Sequence, residues 1–144
     1  MLGTKLQSLL KVPYLSTVDP NSPRFYPEVE GLYWGDMLCP VINLVVERGE
    51  ICRNVYFMRD IGTYSTSLCE KALKSLFAGS KIIGPVKVKI NGVEKYVDQT
   101  DETAENGKFK GLNILGQDFF IQSQPQVLED FKELKFKIVF PKKE

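Results

Sequence analysis

The sequence predicts one small, mostly β domain. Three observations carry that expectation. The chain has 144 residues, the length of a single domain, and 43% of them are hydrophobic, enough to bury a core. Short runs of β-branched or alternating apolar residues recur along it. Turn signals separate these runs, Asn91-Gly92 being the strongest among them.

Residues 1–30 read as a loosely structured leader, and residues 31–144 as the domain. Leu2, Leu6, Leu9 and Leu10 have helical spacing and predict a short amphipathic turn. Pro13, Pro20, Pro23 and Pro27 then break regular structure. Residues 41–46, with three β-branched valines and an isoleucine, predict a strand. The Glu47-Arg48-Gly49-Glu50 stretch is a turn signal, and residues 51–58 predict the return strand of a hairpin.

A helix is expected over 67–77. Ser67 and Glu70 have the spacing of a capping box, Leu68, Ala72, Leu73 and Leu76 share one face, and Gly79 is placed to stop it. Residues 86–90 alternate apolar and basic, the period-2 pattern of a half-exposed strand, with Lys87 and Lys89 on its wet face. Asn91-Gly92 turns the chain, and residues 93–97 return. A polar loop follows over 98–108. Residues 112–115 predict a short apolar strand running into Gly116-Gln117-Asp118-Phe119-Phe120, and residues 134–140 a final alternating strand. Tyr33 and Trp34 are expected to be partly buried at the edge of the domain.

Composition excludes several functions. Lys+Arg 19 against Asp+Glu 18 leaves a net charge of +1, which gives no reason to expect nucleic acid or an anionic membrane as partner. No apolar stretch approaches the length of a membrane span. The N-terminal residues lack a signal-peptide core. Cys39, Cys52 and Cys69 are an odd, sparse set without a C-x-x-C pair. They fit buried thiols in a reducing compartment, and a cytoplasmic location is expected. The chain contains no histidine. That removes Ser-His-Asp and Cys-His nucleophile systems and most catalytic zinc sites, so acid–base chemistry would fall to carboxylates, Lys, Tyr or Cys. No metal or cofactor is expected.

One combination of motifs carries chemistry. A hydrophobic strand runs into Asp60-Ile61-Gly62-Thr63, Thr66 and Leu68 follow, and Ile114-Leu115-Gly116-Gln117-Asp118-Phe119 comes after a later hairpin. In this order and strand context the chain resembles the retropepsin-like aspartic protease family over roughly residues 41–140. The resemblance implies an acid-protease fold, a closed β-barrel with one or two short helices. It implies that Asp60 is the catalytic aspartate and that Ile61, Gly62 and Thr63 form the active-site loop. It makes Leu115, Gly116 and Asp118 the supporting element behind that loop, with Asp118 in a buried hydrogen-bonding role.

The family's chemistry needs two carboxylates that share one proton. The chain has a single Asp-x-Gly-Thr sequence, so a dyad requires two chains about a two-fold. The expected function is therefore a homodimeric aspartic endopeptidase acting on a polypeptide substrate, without nucleic acid or membrane partners. Two departures motivate an alternative, a non-catalytic retropepsin-like module for dimerisation or peptide binding. Position 61 is Ile where the family has a hydroxyl residue that bonds across the dimer. The family's Gly-rich flap is either replaced by the Asn91-Gly92 hairpin or truncated within residues 77–86, and the spacing favours truncation.

Overall fold

A computed structural model describes residues 3–78, 80, 82–100 and 111–142, with side chains from Gln7 onward. The expected helix stop at Gly79 and most of the polar loop expected over 98–108 lie outside these residues. Nine strands and three short helices are described: α1 Gly3–Leu10, β1 Glu28–Trp34, β2 Cys39–Arg48, β3 Ile51–Arg59, β4 Ser67–Leu68, α2 Glu70–Leu76, β5 Val86–Ile90, β6 Val93–Gln99, β7 Asn113–Leu115, α3 Gln117–Ser123, β8 Gln126–Asp130 and β9 Lys135–Val139.

Six strands close a barrel in the order β3-β7-β4-β6-β5-β2, with β2 pairing back onto β3. The closure depends on β2. One edge pairs with β3 from Val41↔Met58 to Arg48↔Ile51. The other edge is divided, with Cys39, Pro40 and Val41 paired to β1 and Val46 and Glu47 paired to β5. From β1 the sheet continues outward through β9 to β8. The barrel interior is filled by Ile42, Leu44, Val46, Val55, Phe57, Leu68, Leu73, Leu76, Ile90 and Leu115, all 2% exposed or less. These are the inward positions of alternating strands and the apolar face of α2, so the period-2 and helical patterns of the sequence account for the core. Lys87 and Lys89 lie on the wet face, and Val88 and Ile90 point in. Asn91 and Gly92 take φ of +46° and +79°, the left-handed pair that a two-residue hairpin needs.

Two short helices, α2 and α3, lie within residues 31–144, and α1 lies where the leucine spacing predicts a helical turn. Two expectations are corrected. Ser67 does not cap a helix: it lies in β4, paired with both Ile114 and Asp98, and Cys69 takes the N-cap position without a side-chain cap. A capping bond contributes only about 1 kcal/mol. The pairing of β4 between β7 and β6, which closes the barrel, outweighs it. Two strands, β1 and β8, were not among the expected elements. β8 is exposed at every position except Val127 and so has no apolar alternation to announce it. In β1 the pattern is interrupted by Gly31, where the ring of Phe136 lies so close that a Cβ would stand 2.3 Å from it.

Residues 12–26 are tied to the barrel. Leu15 donates to the carbonyl of Asn54 (2.8 Å), Asn54 donates to that of Ser16 (3.0 Å), and Val18 donates to that of Cys52 (3.1 Å). Residues 15–18 thus lie along the first half of the β3 edge whose second half is occupied by β7. Tyr14 packs on Tyr56 with ring centroids 4.9 Å apart, and the Tyr56 hydroxyl bonds the carbonyl of Val12. Asn91 holds the segment from the other side, accepting from the Tyr26 N–H (2.8 Å) and donating to the Tyr26 carbonyl (3.0 Å).

Candidate functional site

β3 and β7 are parallel neighbours in the register Phe57↔Asn113, Met58↔Ile114, Arg59↔Leu115. Parallel strands end side by side, so Asp60 and Gly116 leave the barrel at the same rim. The Asp60 N–H donates to the carbonyl of Leu115 (3.2 Å) and marks that point. The two motifs separated by more than fifty residues in sequence meet here.

The carboxylate of Asp60 is oriented by its own loop. Oδ1 accepts from the Gly62 N–H at 2.9 Å, and Oδ2 accepts from the Thr63 hydroxyl at 2.8 Å. The Thr63 N–H returns to the Asp60 carbonyl at 3.1 Å. Such local carboxylate–backbone bonds fix a short turn, and they hold both oxygens in a defined direction. Asp60 is partly exposed and Gly62 is exposed. Ile61 and Tyr64 stand out from the loop, 68% and 66% exposed.

The loop sits on the Gly116 element. The Gln117 N–H donates to the Thr63 carbonyl and the Asp118 N–H to the Tyr64 carbonyl, both at 2.9 Å. The approach is close: a Cβ on Gly116 would lie 2.4 Å from the Tyr64 carbonyl oxygen and 2.6 Å from the Ser65 carbonyl carbon. Only glycine fits, because any side chain would drive the two backbones apart. Leu115 is fully buried below, in the barrel core.

Beneath the loop is a buried polar knot. The Thr66 hydroxyl donates to Asp118 Oδ1 at 2.6 Å and accepts from the Gly116 N–H at 3.0 Å. The Thr66 N–H is shared between the two Asp118 oxygens at 3.1 and 3.2 Å. Lys95 Nζ, on β6, completes the knot at 2.9 Å from Asp118 Oδ2, with both side chains mostly buried. Each donor has an acceptor, which is what lets charged groups stay inside a small domain. Asp118 is thus occupied as an internal acceptor and is not directed at solvent.

Lys95 and Asn113 were not singled out from the sequence. Asn113 is a second buried hub: its Oδ1 accepts from the Cys69 N–H (2.9 Å), and its Nδ2 donates to the Tyr56 carbonyl (3.0 Å) and to the Tyr14 hydroxyl (2.8 Å). A signal for Lys95 exists. In the alternating stretch from Val93 to Val97 it occupies the same face as the two valines, an inward position where a lysine needs a partner. Asn113 carries no comparable signal.

Arg59, next to Asp60, lies with its guanidinium 4.5 Å from the centroid of the Phe120 ring and 3.9 Å from Glu129 of β8. Tyr33 is close to the same glutamate, and burial, followed by its hydrogen bond to Glu129, raises its pKa. The Asn91-Gly92 turn, one of the two flap alternatives, is anchored: Asn91 is 1% exposed and bonded to Tyr26 and to the carbonyl of Val45.

Cys52 and Cys69 are buried free thiols and Cys39 is half-buried. Among the described residues there is no group of three or more His, Cys, Asp or Glu side chains that could hold a metal ion, and no helix long and apolar enough to cross a membrane. No protein-family model, curated protein or solved structure matches the chain.

Proposed function

We propose that the chain is a retropepsin-like aspartic endopeptidase that acts as a homodimer, with Asp60 from each of two copies forming the catalytic pair. The observation that carries this reading is the seating of the Asp60–Thr63 loop on the Gly116–Asp118 element at one rim of a closed barrel. Two sequence motifs that resemble the same family converge in space and lock each other by backbone bonds.

The chemistry follows from the carboxylates. Two Asp60 side chains a few ångströms apart cannot both ionise, so the pair shares one proton and titrates as a unit. The ionised member takes a proton from a water molecule as that water attacks the peptide carbonyl carbon. The protonated member donates to the carbonyl oxygen. The proton taken from water then passes to the departing nitrogen as the C–N bond breaks, and a hydroxyl of the tetrahedral intermediate returns a proton to the pair as the product carboxyl forms. The bonds from Gly62 and Thr63 hold each carboxylate for this exchange, since proton transfer is sensitive to small misplacements. Thr66, Asp118 and Lys95 position the loop from below.

Cleavage of an unstructured protein, assayed from about pH 4 to 7, tests the reading. Wild type should cleave, and Asp60→Asn should not. A second reading is a non-catalytic module with the same fold. Ile61 favours it, because an exposed alkyl side chain has no hydroxyl to bond across a two-fold. A well-folded dimer that cleaves nothing would select that reading.

A further inference from the structure

We infer that the cleft between the leader and the outer face of β2 is a binding site for a primary alkylammonium group. The cleft has a volume of about 360 Å³, at the lower end for a small-ligand site. None of its lining residues belongs to the Asp60 loop or to the Gly116 element.

The position of Asn43 carries the inference. Along β2 the side chains of Ile42, Leu44 and Val46 enter the barrel core. Those of Val41, Asn43 and Val45 therefore face outward, under the leader. Val41 packs with Tyr56, and Val45 with Val18 and Cys52, so Asn43 stands between two apolar contacts. Its Nδ2 donates to Asn54 Oδ1 at 3.1 Å. Its Oδ1 is shielded from solvent and has no hydrogen-bond partner among the described residues. A buried carbonyl oxygen without a donor is costly. Asn43 lines the cleft, so a donor held there removes that cost.

The charge of the lining fixes the kind of donor. Its three charged residues, Asp19, Glu28 and Glu30, are all carboxylates. The neighbouring cations sit outside the lining. Lys137 is 3.3 Å from Glu28 and Lys135 is 3.6 Å from Glu30, and the Arg24 guanidinium donates to the Asp19 carbonyl at 3.3 Å. Both lysine pairs are exposed, and such pairs are held weakly. Among the described residues no three acidic side chains converge to hold a metal ion, which leaves an organic cation. The acceptors come from β2, β1 and the leader rather than from one planar fork. That arrangement suits the three rotatable donors of an ammonium better than a guanidinium. Val12, Val18, Val29 and Val45 supply an apolar wall for the alkyl stem.

A lysine side chain of a polypeptide and a free diamine share this chemistry. Titration of the full-length protein, followed by amide NMR, tests the site with a probe for each: N-acetyl-lysine amide and cadaverine. Binding should shift the side-chain amide of Asn43 and the backbone amides of Val29 and Val45 saturably. Tighter binding of the lysine amide assigns the site to a polypeptide, and tighter binding of cadaverine assigns it to a free diamine; either upholds the ammonium class. Asn43→Ala should raise the dissociation constant about tenfold, the loss of one hydrogen bond to a charged group. Glu28→Gln combined with Glu30→Gln alters only exposed pairs and should leave the fold intact, while weakening binding and reducing its dependence on salt. Asp60→Asn should bind as wild type does, so the site stands or falls apart from the protease reading. No saturable shift from either probe would overturn the inference and leave ordered water as the partner of Asn43 Oδ1. Equal shifts from glutarate, a dianion of similar length to cadaverine, or an affinity that either the Asn43 or the Glu28 and Glu30 variant leaves unchanged, would overturn it as well.

Discussion

Asp118→Ala should unfold the site more than any surface change, and its cost can be worked from the knot around it. The substitution strips the acceptor from the Thr66 hydroxyl and from the Thr66 N–H, both inside a fully buried residue. Two unsatisfied buried donors cost about 1–2 kcal/mol each. It also leaves Lys95 without its partner. Breaking a buried pair costs about 3–5 kcal/mol, and the lower end or less applies because the 15% exposure of the Lys95 side chain lets water reach it. The expected total is about 4 kcal/mol, a large part of the roughly 5–15 kcal/mol by which a domain is stable. Asp118→Asn keeps the shape and an acceptor for the Thr66 hydroxyl but turns an amide NH2 toward the Lys95 ammonium, so about 2 kcal/mol is expected. Urea unfolding of both variants, with Lys95→Met as the third corner of a cycle, measures these terms. In the Lys95→Met background Asp118→Asn should cost clearly less. Asp118→Ala costing under about 1 kcal/mol, or as little as Asn, would refute the assignment of the knot as the support of the loop.

Gly116→Ala should prevent folding or cost several kcal/mol, because its Cβ would overlap the Tyr64 and Ser65 backbone; circular dichroism and thermal melting read this directly. Deleting residues 1–18 should bare Cys52 and Tyr56, lower the melting temperature, and make the Cys52 thiol react with a thiol reagent at a rate the full chain does not show. Stability should fall in alkali. Burial raises the pKa of Cys52 above 9.0 and those of Tyr33 and Tyr56 above 10.0. The unfolded chain therefore loses these protons first. The stabilising contribution is full below the ordinary values and is lost as pH rises through the native ones, and Tyr56→Phe should flatten the alkaline slope.

The barrel was legible where two periods were clear. The alternation of β5, the apolar runs of β2 and β3 and the Asn91-Gly92 turn each translate into one local geometry, and the inward residues form the core. Ser67 misled because a capping box is a local signal of small worth, and a strand pairing formed with residues 98 and 114 overrode it. β8 was silent because an edge strand need not bury either face. At the site, the sequence named both halves that meet, Asp60–Thr63 and Leu115–Asp118. It could not show that Lys95 neutralises Asp118 or that Asn113 ties the leader to β3, since those partners lie far apart in the chain and are set by barrel closure. Lys95 was nonetheless readable as a lysine on the apolar face of its strand.

Cleavage of an unstructured protein by wild type and Asp60→Asn, with the mass of each sample determined in solution, tests the central claim most directly. The account predicts dimers of both proteins and cleavage by wild type alone, rising with the dimer fraction. Equal cleavage by the two, or none from a folded wild-type dimer, would contradict it.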